Sequence, residues 1–430
     1  MKPYDTVIIG GGVAGLMAAV ELGRAGKPAI LVEKSNRVGG RAITVRKNGA
    51  LFNLGGHAIY KGGEAYAILK QWGIALEGGQ PTFNGSFIWN DQAFPLANPA
   101  KLLLSSFLSW SGKGELVKLF WKLFKSGPIA VRPGESLREW AERELRDPMV
   151  RHIFYSLTRT ATYTRDPDYQ LAGPALKQVQ RSLKSGVQYL HGGWQSIVDQ
   201  LREKAVQAGV KMIEHSAAAR VVHEGGAVRQ VELEDGTVLA AAHVISTVSP
   251  EVTFRLVPGA ERTVLSRWKD EARPAMAACL DLCLERLPSP DRQVALGLDR
   301  PVFFSNHSAG AKLTEDGKVV VHLMKYNGPT DSDPAADLQL LEQTMSLLHP
   351  GWEQLVAAKQ FLPNIAVVHD YAHLGRKQLE VGPSVPEIKG LYVAGDWASH
   401  GEYLLDAAAT SARRAVGQVL GGAYRTAVGE

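Results

Sequence analysis

The sequence predicts an α/β chain: a Rossmann-like dinucleotide-binding domain, with a parallel sheet, helices and an extra β-meander, joined to an α+β domain that carries a helical insertion. Three observations predict it. The β-branched run Asp5-Thr6-Val7-Ile8-Ile9 feeds into Gly10-Gly11-Gly12-Val13-Ala14-Gly15, a G-x-G-x-x-G turn that opens a helix. A second strand, Ala29 to Val32, ends in Glu33 at about the ~20-residue distance expected of a ribose-binding acid. Near the C-terminus Gly390-Leu391-Tyr392-Val393-Ala394-Gly395-Asp396 repeats the pattern of a buried strand ending in glycine and a carboxylate, ahead of a helix from Leu404 to Leu420.

Each glycine of the turn has a separate task. Gly10 permits the sharp exit from the strand, Gly12 lets backbone approach a pyrophosphate, and Gly15 lets the helix pack closely on the sheet. The amides of Val13 and Ala14 then point at the anion from the positive end of the helix dipole, so no basic side chain is required. Glu33, with Lys34 beside it, suits the two hydroxyls of an adenosine ribose and disfavours a 2′-phosphate.

Composition sets outer bounds. The 430 residues suffice for two or three packed layers or domains, and 45% hydrophobic with 21% charged residues is ordinary globular usage. A net charge of +5 is too diffuse to indicate nucleic acid, and no basic stripe with interleaved aromatics accompanies it. Cys279 and Cys283 lie on one strand, about 13 Å apart at strand rise, beyond the roughly 7 Å a disulfide allows. They read as unbridged core side chains in a reducing cytoplasm, with Leu280, Leu282 and Leu284 on the opposite face. The apolar N-terminus continues into the fold and is not a cleaved signal, and no uncharged run reaches the ~20 residues of a membrane span.

Along the chain, residues 1–60 read as a βαβ unit followed by Gly39-Gly40-Arg41 and Gly55-Gly56-His57 loops. From Asn98 to Gln180 the pattern is helical, punctuated by Pro99, Pro133, Pro148, Pro167 and Pro174. A helix from Trp194 to Ala208 precedes strands at Ala218 to Val222, Val228 to Glu234 and one ending at Val248, with turns at Gly225-Gly226 and Asp235-Gly236. Further strands at Met276 to Leu284 and Val319 to Met324, and a helix at Ala335 to Leu348, complete the second layer.

Gly10-x-Gly12-x-x-Gly15, Glu33, Gly39-Gly40-Arg41 and Ala394-Gly395-Asp396, in this order, resemble the flavin-dependent superfamily of amine oxidases, protoporphyrinogen oxidase and phytoene desaturases. His191-Gly192-Gly193-Trp194 and the 210–248 strands look like its middle segment. The resemblance implies FAD, held by a discontinuous domain of residues 1–85, 188–252 and 361–430, with a substrate-binding domain of 86–187 and 253–360. It implies that Arg41 neutralises the pyrophosphate or flanks the isoalloxazine, with Gly39 and Gly40 allowing close approach, that Asp396 accepts from the ribityl chain and that Ala218 contacts adenine. The helix opening at Leu404 and Leu405 would aim its positive end at the flavin pyrimidine ring. Gly55 and Gly56 would approach the flavin ring, making His57 the candidate for proton handling.

Amine oxidases of the superfamily are similar to one another in an aromatic residue two places before the acid of the last helix and in a lysine on a substrate-domain strand. Here those positions give Leu404, ahead of Asp406, and the lysine-free Ala277-Ala278-Cys279-Leu280-Asp281-Leu282. The region 136–163 looks like the corresponding part of desaturase-like members. The expected activity is therefore hydride transfer from a hydrophobic substrate to flavin N5, with oxygen or a quinone as acceptor, since no second G-x-G-x-x-G follows a strand. The alternatives are an amine or protoporphyrinogen oxidase and, of another class, a flavin-binding subunit without turnover. Residues 115–125 read either as a peripheral membrane contact on the cytoplasmic face or as a helix packed through Leu116, Leu119, Phe120 and Leu123 with snorkelling lysines. No metal-ligand spacing occurs.

Overall fold

A computed structural model describes residues 4–82, 84–96, 107–328 and 332–421. The start of the expected helical block, at Asn98 and Pro99, lies outside them. The first sheet is built on β1 (Tyr4–Ile9), flanked in parallel by β2 (Ala29–Val32) and β13 (Val238–Ser246). Outside these lie β10 (Lys211–Ile213), parallel to β2, and β19 (Leu391–Val393), parallel to β13. β1 is buried on both faces over its last four residues, which is why Val7, Ile8 and Ile9 follow one another without polar alternation.

The β-meander is β11 (Ala218–Glu224), β12 (Ala227–Leu233) and β13, all antiparallel. Gly225 and Gly226, both at positive φ, close its first hairpin, and Gly236 (φ 84°) closes the second. β13 ends at Ser246 rather than at Val248, because the Thr247 amide and hydroxyl turn back onto the Ile9 carbonyl.

One face of this sheet is covered by α1 (Val13–Arg24), α2 (Glu64–Gln71), α7 (Gln195–Gln207) and α11 (Leu404–Val419), which share a core of Leu16, Ile68, Val198, Leu201 and Ala412. The other carries the meander with α8 (Pro250–Leu256) and α9 (Val264–Glu271).

The second sheet has the order β18 (Val356–Val368), β14 (Ala275–Leu284), β17 (Val319–Asn327), β16 (Val302–Asn306), β15 (Val294–Gly297), β7 (Gly85–Trp89), β8 (Gln92–Leu96). Only β15 and β7 pair in parallel. The expected boundary between residues 360 and 361 is corrected here: it cuts through β18, which stays paired to β14 until Val368. Leu280, Leu282 and Leu284 face α10 (Pro334–Leu348), while Cys279 and Cys283 lie on other packing surfaces as free thiols.

The helical block is α3 (Trp110–Phe124), α4 (Leu137–Glu144), α5 (Pro148–Thr162) and α6 (Ala172–Ser185). Pro148 opens α5 behind Asp147, whose carboxylate caps the Met149 and Val150 amides. Two small pieces link the layers: β3 (Thr44–Lys47) with β4 (Ala50–Asn53), and β9 (Val187–Leu190) between β5 (Ile59–Tyr60) and β6 (Gly78–Gly79).

A buried ion pair joins the helical block to the last helix. Asp406 accepts from the Ala65 amide (2.9 Å) and from Arg181 Nη1 on α6 (2.5 Å). Asp406→Asn leaves Arg181 without its counter-charge and is expected to cost about 3–5 kcal/mol, the range for breaking a buried pair from one side. The check is a denaturant titration, in which Arg181→Met placed in the same background recovers part of the loss.

Candidate active site

Four loops converge at the C-terminal ends of β1, β2 and β19. In the first, Gly10 (φ 103°) leaves β1, and a Cβ on Gly15 would stand 1.9 Å from the Gly10 carbonyl oxygen, so only glycine fits there. Nothing lies within 4 Å of where a Gly12 side chain would be, and no side chain caps α1. The helix therefore presents its first turn to an open cradle with Val13 and Ala14 at its rim, the arrangement that suits a phosphate. Gly39 and Gly40 form the second loop, bonded to the first through the Gly39 amide and Gly11 carbonyl (2.7 Å).

Glu33 is buried at the end of β2. Its oxygens accept from the Gly11 amide (2.6 Å) and the Ser35 amide (2.8 Å), which fixes the carboxylate and leaves lone pairs for two further donors. Lys34 is exposed beside it. The amides of His215 and Ser216 bond the carbonyls of Ser35 and Glu33, bringing the start of β11 at Ala218 alongside.

Arg41 is anchored through one nitrogen of its guanidinium. Its Nη1 donates to Asp396 Oδ2 (2.8 Å) and to the Val367 carbonyl (2.7 Å). Asp396 also accepts from the His369 amide (3.1 Å). Burial alone would push the Asp396 carboxyl up, but Arg41 and His369 more than offset it and hold it well below the usual carboxylate range. Gly395, at φ 130°, turns the chain out of β19 and is bonded on both sides to Ser411 of α11. Leu404 opens α11 at φ 57° and packs on Val368, Tyr371 and Tyr403, while Leu405 packs into the core beneath the first sheet.

The remaining loop lies on the second sheet. A Cβ on Gly55 would meet Ile365 Cδ1 at 2.7 Å, and one on Gly56 would meet His322 Nε2 at 2.8 Å and Met324 Cε at 3.0 Å. His57 Nδ1 donates to the Gly55 carbonyl (2.9 Å), and its ring meets Trp194 edge-on at 4.7 Å. Burial lowers its pKa to about 4, against the backbone bonds to Gly55 and Arg41. His57 is thus a neutral imidazole near neutral pH, held next to Arg41.

Several residues of this region escape a reading of the sequence by motif. Tyr163 donates to the Gly56 carbonyl (3.1 Å) from the C-cap of α5. Across β14 and β17, Ala277 pairs with Tyr326, Cys279 with Met324 and Asp281 with His322, one face of alternating residues. Asp281 is tied to His322 Nδ1 (2.5 Å) and Gln360 Nε2 (3.0 Å). The period-two alternation was the available signal, but which of two faces turned toward Gly55 was not in it. His369 had no local signal.

The family described as flavin containing amine oxidoreductase matches residues 13–279, more than half of the chain. The chain belongs to this family. It is a flavin-containing oxidoreductase. A phytoene desaturase of Cercospora nicotianae is 26% identical over 281 residues, 57% of this chain and 45% of that protein. A putative flavin-containing monoamine oxidase, AofH, of Mycobacterium tuberculosis is 28% identical over 280 residues, 59% of this chain and 60% of that one. The match spans about half the length of these curated relatives. In fold, an oxidoreductase of Methanosarcina mazei superposes with a TM-score of 0.77 at 18% identity, covering 95% of this chain and 98% of the other.

The flavin oxidoreductase should lose stability as pH falls from 6.5 toward 4. Over that window His57 takes up a proton when unfolded (ordinary value 6.5) but resists it when folded (about 4). His57→Gln is expected to flatten this part of the pH profile, read as thermal midpoints from pH 7 to 4.5. An unchanged slope would place the His57 ring in solvent.

Proposed function

We propose that this flavin oxidoreductase dehydrogenates a hydrophobic substrate, as a desaturase does. In this reading Gly10, Gly12, Val13, Ala14 and Gly15 receive the pyrophosphate, and Glu33, Lys34 and Ala218 border the adenosine. Gly39, Gly40, Arg41, Gly55, Gly56 and His57 line the flavin end, with Gly395, Asp396, Leu404 and Leu405 along the ribityl chain and pyrimidine edge. When bound, FAD supplies the redox step by accepting a hydride from a substrate C–H bond.

The observation that carries the reading is the wall against which Gly55 and Gly56 pack: Ala277, Cys279, Met324, Tyr326, Tyr163 and Ile365. Burial raises the Tyr326 phenol to about 12 and lifts the Tyr163 phenol well above its ordinary value, so both stay neutral. Asp281, the acid on this face, is already bonded to His322 and Gln360. Such a wall excludes water and rewards an apolar substrate. Lys325 takes the opposite face of β17, paired with Asp337, and Leu404 stands where an amine cage needs an aromatic ring. Arg41 fixes Asp396 as an ionised acceptor, and His57 stays a neutral imidazole beside Arg41. Oxygen or a quinone is the proposed acceptor, and nucleic acid has no role.

The amphipathic helix α3 supports delivery of that substrate from a membrane surface on the cytoplasmic side, although not by the face expected from the sequence. Leu116, Leu119 and Leu123 are buried against the helical block, with Phe120 packed partly against it. The exposed stripe is instead Trp110 (88% exposed), Val117 (52%), Trp121 (64%) and Phe124 (52%), within about 60° of arc at 3.6 residues per turn. Lys113 lies over Trp110 and Lys125 over Trp121. Aromatic rings flanked by lysines suit an anionic lipid interface. Among the described residues no helix is long and apolar enough to cross a membrane.

Two measurements test these readings. Under anaerobic conditions polyenes or other lipids should bleach the flavin absorbance while saturating amines do not. Bleaching by amines or porphyrinogens alone, with peroxide release in air, would instead identify an oxidase. Bleaching by none, with biological function intact in folded, flavin-free Gly12→Asp protein, would identify a binding subunit. For the surface, the double variant Trp110→Ser, Trp121→Ser should retain its flavin and lose about tenfold in partitioning onto phosphatidylglycerol vesicles. Equal partitioning of both proteins would remove the membrane from the account.

A further inference from the structure

A cavity of about 230 Å³ opens beside α5, between α4, the 164–170 loop and the corner joining β15 to β16. It stands apart from the loops proposed to hold FAD. Arg138, Tyr155, Arg159, Gln170 and Arg300 are among its walls. Two of these cations are spoken for: Arg138 forks onto Asp168, and Arg300 pairs with Asp91 and Asp299.

Arg159 differs. It donates to the carbonyl oxygens of Gly297 (2.6 Å) and Arg300 (3.3 Å) and stands over the Tyr326 ring at 5.6 Å, and among the described residues no acidic side chain pairs with it. Burial draws its guanidinium down to about 10, still fully charged near neutrality. A buried cation without a counter-charge is costly to keep.

Three buried polar atoms on these wall residues also lack a partner: Tyr155 Oη, Arg159 Nε and Gln170 Oε1. Buried polar groups are nearly always satisfied, so three orphans around one cavity point to something that satisfies them. The set is two donors, one of them cationic, and one acceptor, because the Gln170 amide nitrogen is already committed to Tyr403 (3.2 Å). A carboxylate offers acceptors only. A phosphate group near neutral pH offers P–O⁻ to Arg159 and Tyr155 and, in its monoprotonated form, P–OH to Gln170. The volume takes such a group with a short stem, at roughly seven waters' worth of ~30 Å³ each.

We propose that this cavity is a binding site for a phosphate group, either inorganic phosphate or the head of a small phosphate monoester, held by Arg159, Tyr155 and Gln170. The site is separated from Gly56 by two rings, since Tyr326 meets Tyr163 edge-on at 6.2 Å and Tyr163 bonds the Gly56 carbonyl. An occupant would therefore stiffen the wall of the flavin site without entering it.

The experiment uses the flavin-loaded protein. Inorganic phosphate, glycerol 3-phosphate, acetate and chloride are titrated at matched ionic strength, binding is read by calorimetry and thermal midpoint, and the flavin spectrum reports an intact cleft. The two phosphate compounds should bind saturably and raise the midpoint while acetate and chloride do not. Tighter binding of glycerol 3-phosphate assigns the site to a monoester, and equal binding assigns it to phosphate itself. Arg159→Gln should weaken binding by about 10- to 100-fold. Tyr155→Phe removes a hydroxyl that bonds nothing in the protein, so the ligand-free midpoint should hold or rise while affinity drops about tenfold. It carries the test if the arginine variant fails to fold. Chloride matching phosphate, or Tyr155→Phe binding phosphate as tightly as the parent, overturns the proposal.

Discussion

The ion pair between Arg41 and Asp396 joins residues 355 positions apart in the chain, and the rest of the site is arranged around it. Asp396 is 6% exposed, and a carboxylate that deep is tolerated only because a cation and a backbone amide meet it. The pair fixes the Gly39–Arg41 loop against the end of β18, whose carbonyls at Ala366 and Val367 also accept from Arg41. β18 belongs to the second sheet and β19 to the first. One guanidinium thus sets the position of both sheets relative to the phosphate cradle.

The convergence of chain ends has a topological cause. β13, from the middle of the sequence, lies between β1 and β19, so the C-terminal strand joins the sheet through a strand of the meander. α11 then crosses back over α1, and their close approach rests on small residues: Ala18 and Ala19 on one helix, Ala409, Ala412 and Ala415 on the other. A nucleotide site assembled this way leaves the intervening stretches free to build the wall at Gly55 and the helical block beside it.

Histidine protonation and apolarity reinforce each other on the second sheet. His57, half-buried, and His307, buried, are held neutral, and His322 is locked to Asp281. Burial that removes water from this wall also removes charge from its imidazoles. The surface thus stays hydrophobic while keeping hydrogen-bonding atoms at its edge.

Motifs whose meaning is local were legible in the sequence. The turn at Gly10 to Gly15, Glu33 at a strand end, the hairpins at Gly225-Gly226 and Asp235-Gly236, and the helix after Gly395 each follow from backbone sterics or strand periodicity within about twenty residues. Only the tertiary structure decided what depends on partners far along the chain. It gave Arg41 to Asp396, carried β18 past residue 361, and turned the leucines of α3 inward while leaving Trp110 and Trp121 outside. An amphipathic helix has two faces that can each be called apolar when tryptophans lie among lysines, and only the neighbour it packs against selects between them.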